Sequence, residues 1–126
     1  MNGVEIYSVD ASHHSLLPLV VANLMDKYEK ICQYRLTNNN LPITARGAGA
    51  GLLGQALFDG VVIDFTKHMN QIIEIEDDYV VAEPGTVKGV LDRELRRRGK
   101  FPPPDPASSN YCTIGGLTAN NSSGPH

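Results

Sequence analysis

The residues of this chain best suited to chemistry are its glycines, gathered in two segments. The first is Arg46-Gly47-Ala48-Gly49-Ala50-Gly51-Leu52-Leu53-Gly54-Gln55, and the second is Cys112-Thr113-Ile114-Gly115-Gly116-Leu117-Thr118-Ala119-Asn120-Asn121-Ser122-Ser123-Gly124. Glycine admits φ > 0 and lets the main chain come close to a ligand, so successive N–H groups in such a segment converge on an anion with no side chain in the way. Each segment reads as a phosphate-contacting loop. Two of them in a chain of 126 residues point to a long ligand with a pyrophosphate in its middle.

The remaining reactive side chains carry less. His13 and His14 are adjacent in an irregular stretch and read as solvated rather than as bases or metal ligands. Cys32 and Cys112 read as free thiols, because the start Met1-Asn2-Gly3-Val4-Glu5 lacks the basic and apolar regions of a secretory signal. The expected address is therefore cytoplasmic, and the N-x-S sequons at Asn120 and Asn121 carry no meaning there. No metal site and no membrane span is expected, since no stretch approaches the roughly 18 consecutive apolar residues that a span needs. Hydrophobic content of 41%, charged content of 20% and a net charge of −3 are those of a globular protein, not a disordered one. They offer no basic field for nucleic acid, and Arg96-Arg97-Arg98 reads as the end of a helix, where cations suit the dipole.

The elements that must hold the loops follow from periodicity. Leu24, Tyr28, Ile31 and Cys32 recur at intervals of three and four, which predicts a helix from Leu24 to Thr37, stopped by Asn38-Asn39-Asn40. Pro42–Ala45, Val61–Phe65, Ile72–Glu76 and Tyr79–Glu83 read as strands, the last two forming a hairpin across Asp77-Asp78. Pro84-Gly85 closes the fourth strand and Thr86 is expected to cap the next helix. Val87, Val90, Leu91 and Leu95 are its expected buried stripe and Gly99 its end. Pro102-Pro103-Pro104-Asp105-Pro106 is a stiff extended segment.

Gly49-Ala50-Gly51-Leu52-Leu53-Gly54 also has the G-x-G-x-x-G form, with Glu74 twenty positions beyond Gly54. A doubly wound dinucleotide fold requires that motif to open a crossover helix. Only six residues, 55–60, separate Gly54 from the strand at Val61, whereas a parallel crossover takes about a dozen or more. That fold is rejected here, and Glu74 reads as a solvent-facing strand residue.

Taken together, the motifs resemble a known family. Pro42-Ile43-Thr44-Ala45-Arg46-Gly47-Ala48-Gly49, Gly54-Gln55-Ala56-Leu57, Gly60-Val61-Val62-Ile63-Asp64, Met69-Asn70, Glu83-Pro84-Gly85, Pro104-Asp105-Pro106, Cys112-Thr113-Ile114-Gly115-Gly116 and Asn121-Ser122-Ser123-Gly124-Pro125 occur in order. This resembles the FAD-binding domain of the FAD-linked oxidase family, the vanillyl-alcohol-oxidase or PCMH type found in D-lactate and D-2-hydroxyglutarate dehydrogenases and glycolate oxidase subunits. Thr66-Lys67-His68-Met69-Asn70 is most similar to large members with an added iron–sulfur region. The fold implied is α+β, a small sheet with flanking helices forming the first part of a PCMH-type domain. Residues 41–126 would supply cofactor-binding loops and strands, and residues 1–40 a weakly matched helical region.

The resemblance implies FAD as cofactor and partner. Arg46, Gly47, Ala48, Gly49 and Ala50 would hold its pyrophosphate, with Gly54 and Gln55 continuing around it. Pro104 and Asp105 would lie near the flavin; Thr113, Gly115 and Gly116 would form the second wall, followed by Asn121 and Ser123. Ala50 and Leu53 replace the hydroxyl side chains common at these positions, and no histidine lies between Arg46 and Gln55, which implies non-covalent binding. The parent reaction implied is hydride transfer from a 2-hydroxy acid to flavin N5. No catalytic residue is expected in this chain, because the second half of the flavin domain and the substrate domain are not within it. The alternative is a non-catalytic remnant or interaction module that keeps the fold without the cofactor.

Overall fold

Val61-Val62-Ile63-Asp64 has the near-continuous apolar pattern of a strand covered on both faces, and the architecture is arranged around it. The computed structural model describes residues 20–23, 42–101 and 104–124. His13, His14, Cys32 and the helix expected from Leu24 to Thr37 lie outside the described residues. The described elements are strands β1 (Val20–Asn23), β2 (Ile43–Arg46), β3 (Val61–Asp64), β4 (Ile72–Ile75) and β5 (Val80–Ala82), and helices α1 (Lys88–Arg97) and α2 (Ile114–Ala119). These are small sheets with few helices, the α+β arrangement expected.

β3 is the central strand of a parallel sheet in the order β1-β3-β2, with Val61 opposite both Val20 and Ile43. β1 was not among the expected strands: a short apolar run has no period that separates strand from helix, and its partner lies some forty positions onward. Val61 N–H to Pro42 O at 3.0 Å and Phe65 N–H to Arg46 O at 3.1 Å extend the β2–β3 pairing at both ends. Parallel neighbours normally need a helical crossover. Here residues 47–60 make the connection with no helix, so the first glycine loop is itself the crossover.

β4 and β5 form the expected antiparallel hairpin, with Glu76 N–H donating to Tyr79 O at 3.0 Å across Asp77-Asp78. A register shift between Ile72 and Glu74 breaks the alternation and leaves Ile73 exposed along with Glu74. The hairpin's base is tied back by Glu83 N–H to Gln71 O and Gly85 N–H to Met69 O.

Thr86 does not cap the next helix. Val87 is the N-cap residue, with no side-chain cap; the Thr86 hydroxyl is buried and donates instead to Gln71 O at 3.1 Å. α1 ends as expected: Gly99 has φ +70°, its N–H meets Arg96 O, and Lys100 N–H meets Leu95 O, the paired bonds of a Schellman motif. Leu91 and Leu95 are buried on its inner face, but Val90 is 41% exposed. The inner face is completed by charge: Lys88 is 2% exposed, and its Nζ lies 2.8 and 2.7 Å from the two Asp92 carboxylate oxygens and 3.8 Å from Asp105 Oδ1. Each partner of this i,i+4 pair neutralises the other, so polar residues occupy a face that hydropathy assigns to Val90.

Among the described residues the core is Val61, Val62, Leu91, Leu95, Cys112 and Leu117. Lys88 N–H to Cys112 O, Ile114 N–H to Thr86 O and Gly115 N–H to Pro84 O fasten the second glycine segment to the start of α1.

Lys88→Ala strands the Asp92 carboxylate in that core and should cost about 3–5 kcal/mol in urea unfolding, whereas Lys88→Met/Asp92→Leu should recover most of the loss. A single-mutant cost below about 1 kcal/mol would show that water reaches the pair. At the hairpin, the hydrogen bond from Lys100 and then its charge hold the exposed Asp77 carboxyl below its ordinary value. That small contribution is present above the unfolded-state pKa and lost as pH falls through the depressed one. Lys100→Met should move the Asp77 midpoint upward in an NMR carboxyl titration.

Candidate functional site

The first loop leaves β2 at Arg46 and the second enters α2 at Thr113, and the sheet and the α1 junction bring them face to face. Gly47 packs directly against Thr113. A Cβ on residue 47 would overlap the Thr113 hydroxyl, so glycine is required at 47 for the loops to pack together at this point. Thr113 is 2% exposed, and its Oγ1 accepts from Gly116 N–H at 3.3 Å, which caps α2.

Between the loops lies a cavity of about 690 Å³. Its first wall is Arg46, Gly47, Ala48, Gly49, Ala50, Gly51, Leu52, Leu53 and Gln55; Cys112, Thr113, Gly116, Leu117, Asn120 and Ser122 form much of the second. Of the residues expected at the site, Arg46 through Ala50, Gln55, Thr113 and Gly116 are brought together here. Gly54, Pro104, Asp105, Gly115, Asn121 and Ser123 do not line it. Gly115 commits its N–H to Pro84 O. Asp105 faces a second hollow with Asp92, Arg93 and Arg96, and accepts from Ser109 Oγ at 2.5 Å, while its main chain packs on Gly124 behind the second loop.

The charge and donor distribution suits an anion. Arg46 is the one charged residue lining the cavity among the described residues. Its buried guanidinium donates from Nη1 to Ala56 O at 2.9 Å and occupies the space where a Gly49 Cβ would stand. Gly49 has φ +71°, which with that contact demands glycine. Arg46 therefore braces the loop from within. Among the described residues, the amides of residues 47–52 donate to no protein group, and the Leu53 amide is taken by Gln55 Oε1 at 2.9 Å. The loop closes in a turn, Leu57 N–H to Gly54 O at 3.0 Å, where a doubly wound fold would start a helix.

Cavity residues missed in the sequence include Asn120 and Ser122. Thr113, Gly116, Leu117 and Asn120 are spaced three and four apart, and that periodicity places them on one side of α2; continued from Thr113, it would have selected Asn120 over Asn121.

The FAD binding domain family matches residues 19–126, a stretch that includes β1. The chain belongs to that family. D-2-hydroxyglutarate dehydrogenase of Escherichia coli is 37% identical over 123 residues, covering 93% of this chain and 12% of that enzyme. Its counterpart in Pseudomonas putida is 43% identical over 84 residues, 65% of this chain and 8% of the enzyme. Glycolate oxidase subunit GlcD of Bacillus subtilis is 34% identical over 125 residues, 94% of this chain and 26% of that subunit. The chain thus spans between 8% and 26% of the length of these relatives. Two crystal forms of alkyldihydroxyacetonephosphate synthase match with TM-scores of 0.67 and 0.69 at 23% identity, covering 82% and 87% of this chain and 22% of those chains. That likeness concerns the fold. No described helix is long and apolar enough to cross a membrane.

Gly47→Ala should destabilise the domain by about 1–3 kcal/mol through overpacking against Thr113. In a Thr113→Ala background the overlapping oxygen is gone, and the same substitution should cost measurably less in urea unfolding. Equal costs in both backgrounds would place the strain elsewhere.

Proposed function

We propose that this chain binds FAD non-covalently through its pyrophosphate and forms the cofactor-holding part of a flavoenzyme that oxidises a 2-hydroxy acid. The observation that carries the reading is that, among the described residues, the amides at 47–52 have no protein acceptor and line a wall that holds one buried guanidinium and no carboxylate. Fixed backbone dipoles of this kind stabilise an anion without a dedicated cation. Gly47 and Gly49 let the Thr113 hydroxyl and the Arg46 guanidinium pack against the main chain, and among the described residues the amides at 47–52 keep no protein acceptor, so the residues present fit the group.

In this reading, the amides of the first loop hold the diphosphate, and Thr113 and Gly116 back it from the second. Arg46 keeps the loop in shape and adds positive potential from beneath. The apolar side chains of Leu52, Leu53 and Leu117 shield the ligand from water. Bound flavin supplies a two-electron acceptor for the carbon that carries the hydroxyl group. The 2-hydroxy acid class rests on the names of the relatives, D-2-hydroxyglutarate dehydrogenase and glycolate oxidase. Positioning of that substrate falls to a further flavoenzyme portion or substrate domain. The absence of histidine from Arg46 to Gln55 supports non-covalent attachment.

Ligand that binds only the native state raises stability, by about 2.7 kcal/mol at a hundredfold excess over Kd. FAD should therefore raise the Tm of the purified chain and quench its own fluorescence on binding, while riboflavin, which lacks the diphosphate, should do neither. After denaturation the flavin should pass an ultrafiltration membrane. A chain that stays colourless and gains no stability from FAD overturns the reading in favour of a non-catalytic module; equal binding of riboflavin overturns the role given to the loops.

A further inference from the structure

The two loops meet at a second point, at the exposed end of the cavity. Gln55 Nε2 donates to Asn120 Oδ1 at 3.2 Å, across 65 positions of sequence. The orientation of both carboxamides is set by the main chain. Gln55 Oε1 is occupied by the Leu53 amide at 2.9 Å, so Gln55 must present its nitrogen. Asn120 Nδ2 donates to Gly116 O at 3.1 Å, so Asn120 must present its oxygen. The Gln55 carboxamide is folded close against the loop, since a Cβ on residue 51 would stand 2.7 Å from Gln55 Cδ. An unbroken relay therefore runs from the first loop's main chain, through two side chains, to that of α2.

The geometry points to Asn120 as a positioning residue of this cavity, acting through Gln55 to fix the separation of the two loops before ligand arrives. The inference rests on the reading above that the loops take FAD. Its physical basis is that, among the described residues, Gly47 against Thr113 pins the loops at the buried end and the Gln55–Asn120 bond pins them at the exposed end. With one pin, the first loop pivots and must be ordered when ligand binds, which lowers affinity; with two, that ordering is already done. The role lies with the pair, because either side chain alone leaves the other without its partner.

The test is FAD titration by flavin fluorescence on the full chain, alongside Gln55→Ala, Asn120→Ala, the double substitution and Thr118→Ala. Asn120→Ala should weaken binding about fivefold, the size of one hydrogen bond, chiefly through faster dissociation, and the double variant should be no weaker than Gln55→Ala. Thr118→Ala removes an exposed hydroxyl bond within the same helix, to Ile114 O, and should leave Kd unchanged. In the ligand-free chain, Asn120→Ala should shift the Leu53 amide resonance although the two residues do not touch in the relay. An Asn120→Ala Kd within twofold of the unsubstituted chain, additive losses in the double variant, or an equal loss in Thr118→Ala each overturns the inference alone. An unsubstituted chain that binds no FAD overturns the proposed function, and the inference with it.

Discussion

The absence of one carbon atom, the Cβ at residue 47, allows the two loops of this domain to share a cavity. Thr113 fills that space with a buried hydroxyl that also caps α2. The contact is short-range and steric, so it admits little slack: close-packed interiors transmit a displacement of an ångström and do not absorb it. The rest of the site is organised by this meeting. The first loop rises from it over the Arg46 guanidinium, and α2 turns the face that bears Gly116 and Asn120 toward that loop.

Behind the contact stands a polar brace that hydropathy conceals. Lys88 donates its main-chain N–H to Cys112 O and its ammonium to Asp92, close to Asp105. One residue thereby joins α1 to both ends of the segment that leads into the second loop. Burying such a pair is costly unless each charge is satisfied, and here the bidentate geometry satisfies it. Asp105 takes part in this brace and not in the cavity wall. Its main-chain contact with Gly124 ties the proline-rich segment to the end of the second loop, so it shapes the site from behind.

Much of the local structure was legible because it depends on short-range chemistry. The β4–β5 hairpin, the Gly99 stop and the strand at Val61–Asp64 follow from turn residues, a positive-φ glycine and a continuous apolar run. Where the readings failed, a distant partner made the difference. Thr86 has the chemistry of a cap, yet Gln71 offered its hydroxyl a buried carbonyl. Val90 has the hydropathy of a core residue, yet the Lys88–Asp92 pair occupies the inner face beside Leu91 and Leu95. β1 exists as a strand because β3 pairs with it, and nothing within Val20–Asn23 announces that pairing.

By itself the sequence determined that the chain carries two glycine-rich segments and the order of the motifs around them, since glycine spacing and motif order are local properties that survive without coordinates. It also determined the family to which they belong. Only the tertiary structure decided which residues of those segments face one another. Helical phase brings Gly116 and Asn120 to the cavity and leaves Gly115 and Asn121 outside it, and the fold commits the Gly115 amide to Pro84. The reason is that a residue type states what a group is able to bond, whereas the competing partners that claim the bond come from elsewhere in the chain.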